Sequence, residues 1–180
     1  MKPVLYFLKD DSGEAAIEFL FIFPIIFLIF TAAFESSMYM ARYAMFDRAV
    51  DQTVRQLRLG TMVNPTHQNL KRTICESGMM IESVQTCIDT MRIWMQPVNT
   101  GTFAMVAPPR SCVDRSQPII TDEPPANEYS LGTDNDIMLM RICMKGDPMF
   151  PTTAVSVKMP VDTDGSYVML VTTTFVNEPG

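Results

Sequence analysis

The sequence is short of the residues from which catalytic sites are built. Among its 180 residues there is one histidine, His67. It follows Thr66 at an expected helix start, where a polar first-turn residue needs no chemical explanation. No Gly-x-Ser-x-Gly, phosphate-binding loop or zinc-binding helix motif occurs, so the common hydrolase, nucleotide and zinc-protease chemistries have no carrier. None of the four cysteines lies in a Cys-x-x-Cys or Cys/His pair of metal-ligand spacing. A basic excess is missing as well: the net charge is -6. Phosphate binding needs a basic face, so the acidic balance argues against nucleic acid as a partner. Internal repeats, low-complexity segments and long runs of one charge are also absent.

The weaker chemical signals have plainer explanations. Asp162-x-Asp164-Gly165 has the start of a calcium loop, but the remaining ligands are missing at their required spacing. Together with Asp134-Asn135-Asp136, it is expected to form a turn. Methionine is abundant, with 16 residues. Met79-Met80 and Met138, Met140 and Met144 suit strand faces and core filling better than soft-metal binding. Trp94, the one tryptophan, is a core or interface aromatic. The expectation is a protein that is not an enzyme and holds no cofactor or metal.

One long apolar run dominates what is present. Residues 19–34 carry no charge, and the mainly apolar stretch continues past Glu35 to Ala41. At about 1.5 Å per residue, residues 19–41 would cross a hydrocarbon core of about 30 Å with some tilt. Residues 19–34 alone would fall short, so Glu35, Ser36 and Ser37 are expected at the far interface. A secretory signal peptide fits less well. The run exceeds the usual apolar region, and Thr31-Ala32-Ala33 makes a poor cleavage site.

Glu18, one residue before the run, is the odd feature. A carboxylate at a bilayer centre costs roughly 2.5–3.5 kcal/mol, less near the interface, and a plain anchor gains nothing from it. A charged leader, then Gly13, then a glutamate five residues on, then an apolar helix is the processing pattern of type IV prepilins. Gly-Glu-Ala-Ala-Ile-Glu-Phe, Pro24, Phe34-Glu35 and the later Arg42, Asp47-Arg48-Ala49, Arg55 and Leu57-Arg58 together resemble the TadE/TadF family. These are minor pilins (pseudopilins) of bacterial tight-adherence pili. The closing Phe175-Val176-Asn177-Glu178-Pro179 is similar to the end of such chains. The strong resemblance covers residues 13–60. It implies a cut after Gly13 by a prepilin peptidase and a new amine at Glu14, one helical turn from Glu18. Glu14 departs from the small or aromatic first residue of many pilins. The implied partners are the membrane, that peptidase, other minor pilins and the assembly platform proteins.

The expected organisation is a leader over 1–13, a transmembrane and amphipathic helix over 14–60, and a periplasmic α+β domain over 61–180. Lys2 and Lys9 precede the apolar run, while Arg42, Arg48, Arg55 and Arg58 follow it, which by itself favours the opposite orientation. Four cysteines in an exported part indicate an oxidising compartment, and they place the N-terminus in the cytoplasm of a bacterial inner-membrane protein. Four cysteines allow three pairings. Cys75 and Cys87 flank the turn around Gly78. Cys112 lies in a proline-rich excursion and Cys143 in the clearest strand, so the expected bonds are Cys75–Cys87 and Cys112–Cys143.

Helical spacing continues through Tyr43, Phe46, Val50, Val54 and Leu57, giving one helix over about 15–59, stopped by Gly60 and Asn64-Pro65. Pro24 removes one backbone hydrogen bond, so a kink or loosening is expected there. A second helix starts after Thr66 and ends near Gly78, and residues 83–87 add a turn. Strands are expected over 91–98 and 137–145. A loop fills 107–131, with a brief strand at Ile119-Ile120. A final hairpin pairs 155–159 with 167–176 around the turn at 162–165. The sum is a long N-terminal helix packed on a small antiparallel sheet of three or four strands, a pilin-like plan. Two other functions stay open: a permanent single-pass protein whose periplasmic domain binds a ligand or surface, and a tethered periplasmic enzyme. The mature N-terminus separates the first from a pilin, and an enzyme would need a cleft with convergent polar groups.

Overall fold

The computed structural model describes residues 14–78, 83–102, 104, 106–109, 112–115, 128–151 and 161–178. The chain is α+β. Helix α1 spans Glu14–Arg58, α2 His67–Gly78 and α3 Val84–Thr90; strands β1 (Met91–Val98), β2 (Ile137–Gly146) and β3 (Tyr167–Val176) follow. The sheet is antiparallel in the order β1-β2-β3, so the clearest strand of the sequence is its centre. Gly13, Met79-Met80, Ile119-Ile120 and the expected strand over 155–159 lie outside the described residues. Of that hairpin, the structure describes the returning strand, β3, and a bridge between Val161 and Tyr167.

Each helix end has a local cause. Gly60 adopts φ +63°, and Thr61 N–H donates to Gln56 O while Gly60 N–H donates to Leu57 O, closing α1 with a left-handed glycine cap. Thr66 Oγ1 accepts from Asn69 N–H at 3.2 Å and starts α2. Ser83 does the same for α3 through Thr86 N–H. Pro24 sits inside an unbroken α1. At the end of α2, a Cβ on Gly78 would come within 2.9 Å of Ala49 Cβ, so the glycine allows α2 to lie close on α1.

Alternation on the strands sets the core. Met91, Ile93 and Met95 of β1, Met138, Met140 and Ile142 of β2, and Tyr167, Met169, Val171 and Phe175 of β3 face one side. They meet Tyr39, Phe46, Ala49, Val50 and Val54 of α1, with Leu70 and Ile74 of α2. Unbranched methionine fills the irregular gap between a helix and a twisted sheet. The structure joins Cys75 to Cys87, with Cα atoms 5.9 Å apart, and Cys112 to Cys143, 5.4 Å apart. The first bond ties α2 to α3. The second holds the excursion at Cys112 against the central strand, on the same face as the buried Trp94.

Candidate functional site: the bare helix and its clamp at Glu35

Helix α1 has two unlike halves. From residue 17 to residue 30 every large apolar side chain is exposed. Thr31, Glu35, Tyr39, Phe46, Ala49 and Val50 are then buried in turn, at spacings that keep one face on the domain. The lower half therefore has the composition of a membrane-embedded helix, and among the described residues none is packed around it. A soluble core helix would bury such a face. Thr31, Ser36 and Ser37 hydroxyls all bond back to carbonyls one turn earlier, so they add no unmet polar group.

Glu35 stands where the two halves meet. It is only 1% exposed. Its Oε1 accepts from Met149 N–H at 3.1 Å and from the Tyr167 hydroxyl at 2.8 Å; its Oε2 accepts from Phe150 N–H at 2.9 Å. Length put Glu35 at the far membrane interface, since residues 19–34 alone fall short of a hydrocarbon core. In the structure protein donors satisfy the carboxylate, and they fasten the 149–150 loop and the start of β3 to α1. Burial raises the Tyr167 phenol above its ordinary pKa, and the bond to Glu35 raises it further. Phe150 packs edge-on against Phe34, ring centroids 6.2 Å apart.

Above this clamp, α1 bonds to the backbone of β3. Tyr43 OH donates to Leu170 O at 2.9 Å and Tyr39 OH to Val168 O at 3.4 Å. Arg42 donates to Asp147 O at 2.9 Å, and Arg115 pairs with the Asp147 carboxylate. At the far end, Arg58 pairs with Glu178 at 3.0 Å, and Asn177 Nδ2 donates to Leu131 O at 2.7 Å. The chain's closing segment thus fastens the top of α1 to the 131–136 loop.

Residues 13–55 match the family model described as TadE-like protein. No curated protein and no solved structure matches the chain. The TadE-like segment runs from Gly13 through the bare half of α1 and on to Arg55, so it contains Glu35, Tyr39, Arg42 and Tyr43. Their domain partners, in Asp147, Met149, Phe150, Tyr167 and Leu170, all lie outside it. Among the described residues one helix is long and apolar enough to cross a membrane, which fits single-pass anchoring.

Glu18 is exposed on the bare half, and Glu14 begins α1. Asp162 and Asp164 both bind Lys145 Nζ, at 2.8 and 2.9 Å, and Gly165 N–H closes the turn onto Asp162 O. Burial pushes the Asp164 carboxyl upward, but hydrogen bonds from Ser166 and Lys145 outweigh it and hold the group well below the usual carboxylate range. Asp136 caps its own turn at Thr133. Among the described residues, no group of three or more His, Cys, Asp and Glu side chains is placed to hold a metal ion. His67 packs edge-on to Tyr129, and neither ring nitrogen makes a well-formed hydrogen bond. Burial, then the nearby Lys71 charge, lowers its pKa to about 4; the Ile93 backbone and Glu128 oppose this in part.

Proposed function

We propose that the chain is a minor pilin, or pseudopilin, that serves in assembly of a tight-adherence pilus. In this reading, α1 holds it in the bacterial inner membrane with residues 61–180 in the periplasm. A prepilin peptidase removes residues 1–13 by cutting between Gly13 and Glu14. The observation that carries the reading is the TadE-like match beginning at Gly13 and continuing along a helix whose lower half is bare. Cleavage places a free amine at Glu14, one turn from Glu18. That amine can neutralise the Glu18 carboxylate of the same subunit or of a neighbour once both leave water, where an unpaired charge is costly. The work is structural: the bare helix enters a bundle of pilin helices, and the domain supplies the contacts to other minor pilins and to the platform proteins.

Replacing the residue before the cut tests this. Gly13→Leu adds a side chain where the peptidase is expected to accept none. The variant should accumulate uncut in the membrane, and cells carrying it as their sole copy should lack pili. Normal piliation with an uncut variant would overturn the proposal.

A further inference from the structure

The loop on which Glu35 closes has an exposed apolar tip. Met149 is 46% exposed and Phe34, beside Phe150, is 40% exposed. Pro148 and Pro151 flank this tip, and Asp147, which binds Arg42 and Arg115, lies just before it. Through Glu35, the backbone of Met149 and Phe150 is held level with the end of the charge-free run.

Length decides what covers this tip. The stretch of α1 that is bare all round, residues 17–30, is about 21 Å long at about 1.5 Å per residue, and a hydrocarbon core is about 30 Å thick. From Thr31 onward the helix already carries the domain on one face. The anchor is therefore short unless the base of the domain sits down against the lipid. Leaving the mismatch would require the bilayer to thin, at fractions of a kcal/mol per Å. The base has the composition for such a seat: apolar side chains at the tip and arginines behind it, on the side away from the bare helix.

Resting on the reading of α1 as a membrane anchor, we infer that the 147–151 loop is a second membrane contact. Met149 and Phe150 enter the interfacial layer of the phospholipid bilayer beside Phe34, and the Glu35 clamp fixes how deep the domain sits. The partner is lipid rather than another protein because the tip continues the surface that the bare helix presents to the membrane.

The test uses the full chain in phosphatidylcholine vesicles whose acyl chains are brominated near the headgroup or near the bilayer centre. Met149→Trp places an indole at the tip and Phe27→Trp places one in the anchor. The wild-type chain, with Trp94 buried in the domain, supplies the background. The expected result is loss of emission for Met149→Trp with the shallow bromines and for Phe27→Trp with the deep ones. Quenching of Phe27→Trp alone overturns the membrane seat and leaves the anchor reading standing. A blue shift of Met149→Trp that grows with the protein-to-lipid ratio, without quenching, assigns the tip to a second copy and also overturns it. If neither indole is quenched, the anchor reading itself fails, and the seat with it. Should Met149→Trp not fold, the Met149 methyl of the wild-type chain can be read by NMR in nanodiscs. Broadening by a lipid spin-labelled near the headgroup supports the seat; an unbroadened methyl overturns it.

Discussion

Replacing Glu35 by alanine should loosen the domain while making the helix a better membrane anchor. The carboxylate accepts hydrogen bonds from two backbone amides and from one phenol, and it is buried. Hydrogen bonds to a charged group contribute roughly 1.5–3 kcal/mol each, and the three here share one acceptor, so they do not add in full. Removing one partner from a buried charged network costs about 3–5 kcal/mol. We expect Glu35→Ala to lose that much, a large share of a total stability of about 5–15 kcal/mol. Glu35→Gln keeps one acceptor oxygen and loses the charge, so about half of that loss is expected. Tyr167→Phe deletes one donor and should cost about 1–2 kcal/mol. Denaturant titration of the full chain in mild micelles, followed through Trp94 emission, measures all three. Amide exchange at Met149 and Phe150 should accelerate in the two Glu35 variants and much less in Tyr167→Phe. If Glu35→Ala stays within about 0.5 kcal/mol of wild type, the range of an inconsequential surface change, with both amides still protected, the clamp has no energetic role.

Glu18→Ala should insert normally, because the anchor becomes more apolar, yet fail to co-purify with pilus components. Normal piliation would count against charge pairing at Glu18. Non-reducing peptide mapping should recover Cys75–Cys87 and Cys112–Cys143. With sequence separations of 12 and 31, the chain-entropy model gives about 3 and about 4 kcal/mol for the two bonds. Four free thiols would place the domain on the reducing side of the membrane and overturn the orientation. His67 is half-buried in its neutral form, and its pKa is lowered to about 4. Its contribution is full above the unfolded value near 6.5 and is lost as pH falls through 4, with one proton taken up on unfolding in that window. Discounted for partial exposure, this amounts to about 1–2 kcal/mol between pH 7 and pH 4. His67→Phe should flatten that part of the stability profile, and an unchanged slope would show that another group titrates there.

Local patterns were legible in the sequence because their causes are local. The apolar period carried α1 to its glycine cap, Thr66 marked the start of α2, and alternation marked β2 and β3. The cysteine arrangement suggested tying α2 to α3 and the excursion to the central strand, as the structure joins them. Glu35 was legible as a boundary and as part of a family-like Phe34-Glu35 pair, but its clamp was not. Two of its donors are backbone amides, which leave no trace in residue type, and the third, Tyr167, lies 132 positions away. The Tyr39 and Tyr43 bonds to β3 were hidden for the same reason: an aromatic at helical spacing signals burial, not the carbonyl its hydroxyl will meet. Lys145 ends the clearest strand of the sequence, and its residue type does not name the partners it meets. Its near-complete burial follows only once the 162–165 turn folds two carboxylates over it. The TadE-like segment stops at residue 55, so the domain half of every α1 contact had to come from the fold.

The processing of α1 is the claim on which the account turns, and the mass and N-terminal sequence of the protein extracted from membranes of piliated cells test it directly. The account predicts a chain that begins at Glu14, shortened by the 13 residues through Gly13. A chain that still begins at Met1 in cells bearing normal pili would contradict it.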